Sequence, residues 1–131
     1  DVYAEQYILA IEVEAKLTLR IARTQILPVV STGITRLSQA VKDLEGLGLP
    51  HDRSLVDSVA SQNSALIAHC AALETALQAE HLHDPIAQMQ FCKDTLLPLM
   101  GAIRAAADAL EAVIDDDLWP LPTYQEMLFM R

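Results

Sequence analysis

"IEVEAKLTLRI", residues Ile11 to Ile21, reads as a strand by simple alternation. Every odd position is apolar, and the even positions are Glu12, Glu14, Lys16, Thr18 and Arg20. Alternation of this kind marks a half-buried strand. At about 100° per residue, however, Glu5, Glu12, Lys16, Arg20 and Arg23 gather within one narrow sector of a helix. Glu12 and Lys16 also make a favourable i,i+4 pair. Ala4, Ile8, Ile11, Ala15, Leu19, Ala22 and Ile26 cover the opposite side, with Leu17 and Ile21 at its flank. A helix collects the charges on one face, and no other stretch signals a partner strand. The segment is expected to be helical.

Three helices follow from working outward. Punctuation is confined to "EGLGLPHDRS" near 45–54, "EHLHDP" at 80–85 and "LWPLPT" at 118–123. The first helix is expected over 1–45, with a glycine stop at Gly46. The second, over 54–80, presents Val56, Val59, Asn63, Leu66, Cys70, Leu73 and Leu77 on one face. The third, over 85–115, carries Met89, Cys92, Leu96, Leu99, Ile103, Ala106, Leu110 and Val113 in alternating steps of three and four. Asp84 is a suitable N-cap and Pro85 a suitable first residue. Leu27-Pro28 and Leu97-Pro98 place a proline inside the first and third helices, where it removes a hydrogen bond and bends the rod. The expected fold is all-α: an up-down-up three-helix bundle within one domain, 1–131, with kinks at Pro28 and Pro98. Short connections make neighbours antiparallel. Pairing backwards from the first loop exhausts the second helix opposite roughly Leu17 to Arg20. About four turns of the first helix then project with a broad apolar face, which implies a partner.

Composition narrows the function. Nine basic against eighteen acidic residues give a net charge of −9, so a nucleic-acid partner is not expected. No apolar run reaches the roughly 20 residues of a membrane span. Two Cys without close spacing fit a reducing, cytoplasmic setting, and no signal peptide opens the chain. The chain begins at Asp1 already in periodic sequence, as a segment of a longer protein would.

Chemistry-bearing residues are sparse. Glu14, Thr18 and Gln25, with Tyr7 seven residues before Glu14, fall on the apolar face of the first helix. They read either as a carboxylate kept for chemistry or as a polar seam that fixes the register of an interface; without a visible base or metal partner the seam is favoured. Glu80, His81, His83 and Asp84 are all metal-capable, but their spacing matches no closed zinc pattern, and a capped turn explains Asp84 and Pro85. His69 stands alone on the second helix, and His51 in a turn. Asp115 to Asp117 lack the glycine and distal Glu of a calcium loop. Asn63 resembles a register-fixing core Asn, and Cys70 and Cys92 read as buried thiols. No nucleophile–base pair, phosphate loop or metal set emerges, so no catalytic, cofactor-binding or metal residue is assigned. The expected interface comprises Tyr7, Ile8, Ile11, Glu14, Ala15, Thr18 and Leu19.

The tail, 118–131, differs in kind: "DLWPLPTYQEMLFMR" ends the chain. Trp119 to Pro122 should be extended, and Thr123 with Glu126 forms a capping box for a last short helix. Trp119, Pro120, Tyr124 and Phe129 join the expected docking residues. This ending resembles the C-terminus of type III glutamine synthetases, whose chains finish in a "WPLPTY…LF" sequence. "YAEQYILAIEVEAKLTLRIARTQILP" is similar to the start of the same region, with its Tyr-rich opening, "IEVEA" and "TxxxP" kink. The resemblance implies a large bacterial enzyme of nitrogen metabolism that condenses glutamate with ammonia, using ATP and Mg2+ or Mn2+, in a homo-oligomer built from rings. It implies that the ligands for substrate, nucleotide and metal lie upstream. This chain would then be the non-catalytic C-terminal domain, packed on its own catalytic domain or on neighbouring subunits. Two rival readings are a free-standing helical sensor with a pocket between helices, and an adaptor whose "WPLP" is read by a polyproline-binding partner.

Overall fold

A computed structural model describes residues 2–79 and 84–114. The described residues are helical throughout apart from turns and contain no strand. The first rod is continuous and comprises α1 (Val2–Ile21), a five-residue π segment (Ala22–Ile26) and α2 (Leu27–Gly46). The second is α3 (Ser54–Gln78). The third repeats the plan of the first, as α4 (Pro85–Phe91), a second π segment (Cys92–Leu96) and α5 (Leu97–Glu111). "IEVEAKLTLRI" lies wholly inside α1.

Long-range contacts fix the order. Arg23 of the first rod pairs with Glu74 of α3, while Val41 and Val56 line one cleft near the first turn, so these rods run antiparallel. Tyr7 lies beneath Lys93, Glu14 pairs with Arg104, and Gly33 faces Ile114, so the first and third rods run parallel. The bundle is up-down-up. α3 and α5 share the most extensive packing, with Leu66, Leu73, Met100, Ile103 and Leu110 inaccessible or nearly so.

Local signals set the boundaries. Asp84 accepts a hydrogen bond from the Ile86 amide at 3.1 Å, the N-cap that frees the start of α4 from an unsatisfied donor. Gly48, at φ of 71°, supplies the left-handed residue that turns the chain after α2.

The prolines are accommodated by widening the helix in the turn before each. The Leu27 amide donates to the Ala22 carbonyl and the Leu97 amide to the Cys92 carbonyl, each five residues back. A wider turn relieves the ring of Pro28 or Pro98 of its conflict with the preceding turn. It also changes which residues are buried. Gln88, Cys92, Leu96 and Met100 are all in the core, three successive steps of four. Each such step overshoots a 3.6-residue turn by 0.4, about 1.2 residues in all, and the π segment absorbs that extra residue. Of the expected seam, Cys92, Leu96, Ile103, Ala106 and Leu110 are buried, whereas Met89 and Leu99 are only half-buried and their neighbours Gln88 and Met100 take the core positions. At the far end Val113 is exposed and Ile114 is buried.

Candidate interaction surface

The first helix divides its apolar residues between two sides. Ala4 and Ala15 are buried, and Tyr7, Ile8, Ile11 and Leu19 are half-buried against the chain's own core. The third rod covers them. α4 and the second π segment lie along α1, and Lys93 Nζ stands 5.8 Å from the centroid of the Tyr7 ring. Much of the projecting face expected of the first helix is thus occupied by the chain itself.

A second row stays in solvent. Leu9, Val13 and Leu17 are 64%, 57% and 53% exposed, and their spacing of four aligns them on one side of α1. Val2 and Tyr3 extend the exposed apolar surface to the start of the helix. Sequence reasoning missed this row because it starts within the charged stripe, Leu9 falling between Lys16 and Arg20 on the helix, and runs away from the apolar face through Val13 and Leu17. The signal available was the i,i+4 repeat of branched residues immediately beside Glu5 and Lys16.

The polar candidates fall elsewhere than expected. Glu14 is exposed and accepts a hydrogen bond from Arg104 of α5 at 2.6 Å. It bridges two rods at the surface, where such a pair contributes at most about 1 kcal/mol. Thr18 is half-buried and Gln25 is exposed, so the three do not form a buried seam. The physical reason is rotation: the core takes Ala15, Ala22 and Ile26, which turns Glu14 and Gln25 to either side. Glu14, Thr18, Arg104 and Asp108 instead line an open groove of about 300 Å³ between the first and third rods, together with Leu17, Ile21, Ile26, Ile103 and Ala107. Another cleft, of about 380 Å³, lies by the first loop among Ser38, Lys42, Glu45, His51 and Arg53.

Inside the bundle the polar groups are few. Gln88 is buried, and lines with Glu12 a small pocket of about 10 Å³ beside Ala76, Leu77, Ala79, Phe91 and Leu96. The Asn63 side-chain oxygen is buried without a partner. Cys70 and Cys92 are free thiols in the core, and burial pushes both up from the usual cysteine range, which keeps them protonated and unreactive. Among the described residues no three metal-capable side chains converge. Glu80, His81 and His83 lie outside those residues, as do Asp115 to Asp117 and the docking candidates Trp119, Pro120, Tyr124 and Phe129. No described helix is long and apolar enough to cross a membrane.

The Arg23–Glu74 bridge has a pH signature. Hydrogen bonding from Arg23, at 2.7 Å, together with its charge, holds the Glu74 carboxyl below its ordinary 4.5. A carboxylate depressed on folding stabilises the fold fully above the unfolded value and loses that contribution as pH falls through the folded one. Stability should therefore decline below about pH 4.5 in part through this pair, and Glu74→Gln should flatten that portion of the curve. Urea midpoints measured between neutral and acid pH check it; equal slopes in both proteins would refute the assignment.

Comparison with known proteins gives these surfaces a context. Across its full length the chain aligns at 24% identity with a glutamine synthetase of Bacteroides fragilis (strain YCH46). It is distantly similar to glutamine synthetases. The type-3 glutamine synthetase of Dictyostelium discoideum aligns at 23%, again over the full chain. The chain spans 19% of the length of each of these glutamine synthetases. No family model and no solved structure matches it.

Proposed function

We propose that this chain is the non-catalytic helical C-terminal domain of a glutamine synthetase, and that its exposed apolar row packs on the catalytic region or on a neighbouring subunit. The observation that carries the reading is the similarity of the entire chain to only a fifth of an enzyme. The parent would ligate ammonia to glutamate with ATP and Mg2+ or Mn2+, as a homo-oligomer in the cytoplasm, with its substrate and metal ligands outside this chain. Leu9, Val13 and Leu17 support the interface role, since a row of half-exposed branched side chains on one helix face is what a partner surface buries.

The test uses the parent enzyme. Leu9→Asp combined with Val13→Asp should yield smaller species in sedimentation, while circular dichroism of the 131-residue chain carrying both changes stays helical. Ile11 and Leu19 are poorer probes, because both are packed against the chain's own core. Normal assembly of the double variant would remove the row as an interface. Formation of γ-glutamyl products by the 131-residue chain alone would refute its non-catalytic role.

A further inference from the structure

We infer that the exposed row of α1 pairs with the same row of a second copy of this chain, the two helices lying antiparallel about Val13. The inference names the partner for the interface role given to this row above, and it rests on that reading. The row faces away from the bundle: Val13 lies on the far side of α1 from the buried Ala4 and Ala15, and Leu9 and Leu17 stay more than half exposed. Its order is symmetric, with one leucine four residues before the valine and one four residues after it. A pair related by a two-fold axis needs a patch that complements itself. Antiparallel about Val13, Leu9 of one copy meets Leu17 of the other, and the two valines meet at the centre.

Charge chooses both the occupant and its direction. Along the edge of the row the acids come first, as Glu5 and Glu12, and the bases after, as Lys16 and Arg20. Counted from Val13, Glu5 and Glu12 lie eight and one residues before, and Lys16 and Arg20 three and seven after. In an antiparallel pair the same edge of each helix meets its mate. Glu5 then stands nearly level with Arg20 of the second copy, and Glu12 with Lys16 of the second copy; the two-fold axis repeats both contacts. A parallel pair would set this edge against the opposite one, where Tyr3 and Ala10 carry no charge. Glu5, Lys16 and Arg20 are exposed and Glu12 is half-exposed, so all four are within reach of a neighbour. The patch is one helix wide, which places the pair among the smaller, transient interfaces.

Sedimentation equilibrium of the 131-residue chain should give a mass that rises with concentration from 14.4 kDa towards twice that value. Val13→Asp should hold it at the mass of one chain, with circular dichroism confirming that the variant folds. Lys16→Glu combined with Arg20→Glu should weaken pairing severalfold, and mixing that variant with one carrying Glu5→Lys and Glu12→Lys should restore it. Leu9→Cys mixed with Leu17→Cys should cross-link through a short thiol reagent. Leu9→Cys alone should not, because its two sulfurs stand about 12 Å apart along the pair. Cys70 and Cys92 are buried and do not compete. A single-chain mass up to about 1 mM, or pairing that survives Val13→Asp, would overturn the inference. So would charge reversal without effect, or cross-linking of Leu9→Cys alone, the mark of a parallel pair. The parent enzyme separates this inference from the wider reading. If the chain stays single while the parent with Leu9→Asp and Val13→Asp fails to assemble, the pairing falls and the interface role stands. If the chain pairs while that parent assembles normally, the pairing stands and the assembly role falls.

Discussion

Leu66→Ala should lower the stability of the bundle by about 3 to 5 kcal/mol, the loss expected for a fully buried leucine whose cavity cannot collapse. Leu66 is wholly inaccessible at the middle of α3, the rod that packs on both others. Removing its branch leaves a void between α3 and α5, where Leu73, Met100 and Ile103 are likewise held by close neighbours. Total stability of a domain this size is about 5 to 15 kcal/mol, so the variant should stand near the edge of folding. Leu47→Ala, at a residue 72% exposed, should change stability by no more than about 0.5 kcal/mol. Urea unfolding of both variants checks the pair. A similar midpoint for the two would mean that the packing around α3 is not what holds the bundle.

Deleting Asp94 should cost about 3 kcal/mol, and adding Pro98→Ala to the deletion should restore most of it. Asp94 is exposed within the second π segment. Since that segment absorbs one residue of excess, its loss converts the wide turn to an ordinary one and leaves α5 in register. The cost then falls on Pro98, whose ring meets the carbonyl of the turn behind it. Deleting Ala105, equally exposed but inside regular α5, should behave quite differently. It rotates everything beyond by about 100° and carries Ala106, Leu110 and Ile114 out of the core, which should abolish cooperative unfolding. Thermal melts of the three proteins decide the matter. If the two single deletions are equally harmful, the π segment is not the register device described above.

Parts of this architecture were legible beforehand. The apolar face of α3 was read position by position, because Val59, Leu66, Cys70 and Leu73 lie in a regular helix without proline. The Asp84 cap was legible because capping is a contact between near neighbours in sequence. On the third rod Cys92, Leu96, Ile103, Ala106 and Leu110 are buried where the periodicity places them, and it misses by one residue at Met89, Leu99 and Val113, since it counts side chains and assumes a constant turn. Pro98 itself, together with the four-residue steps from Gln88 to Met100, was the available sign of a wider one.

The first helix shows the limit most clearly. Its sequence determined that it is a helix, where it stops, and that one thin stripe must face water, because these follow from torsion preferences and from the cost of burying charge. It did not determine how the remaining apolar surface is shared. A helix apolar over most of its circumference can offer several sides to a neighbour at nearly equal gain. Only the return of the third rod settled it, burying Ala15, half-burying Ile11 and Leu19, drawing Glu14 to Arg104, and leaving Leu9, Val13 and Leu17 outside. Local hydrogen bonding makes the rods; contact between residues some ninety positions apart decides which face each one keeps for others.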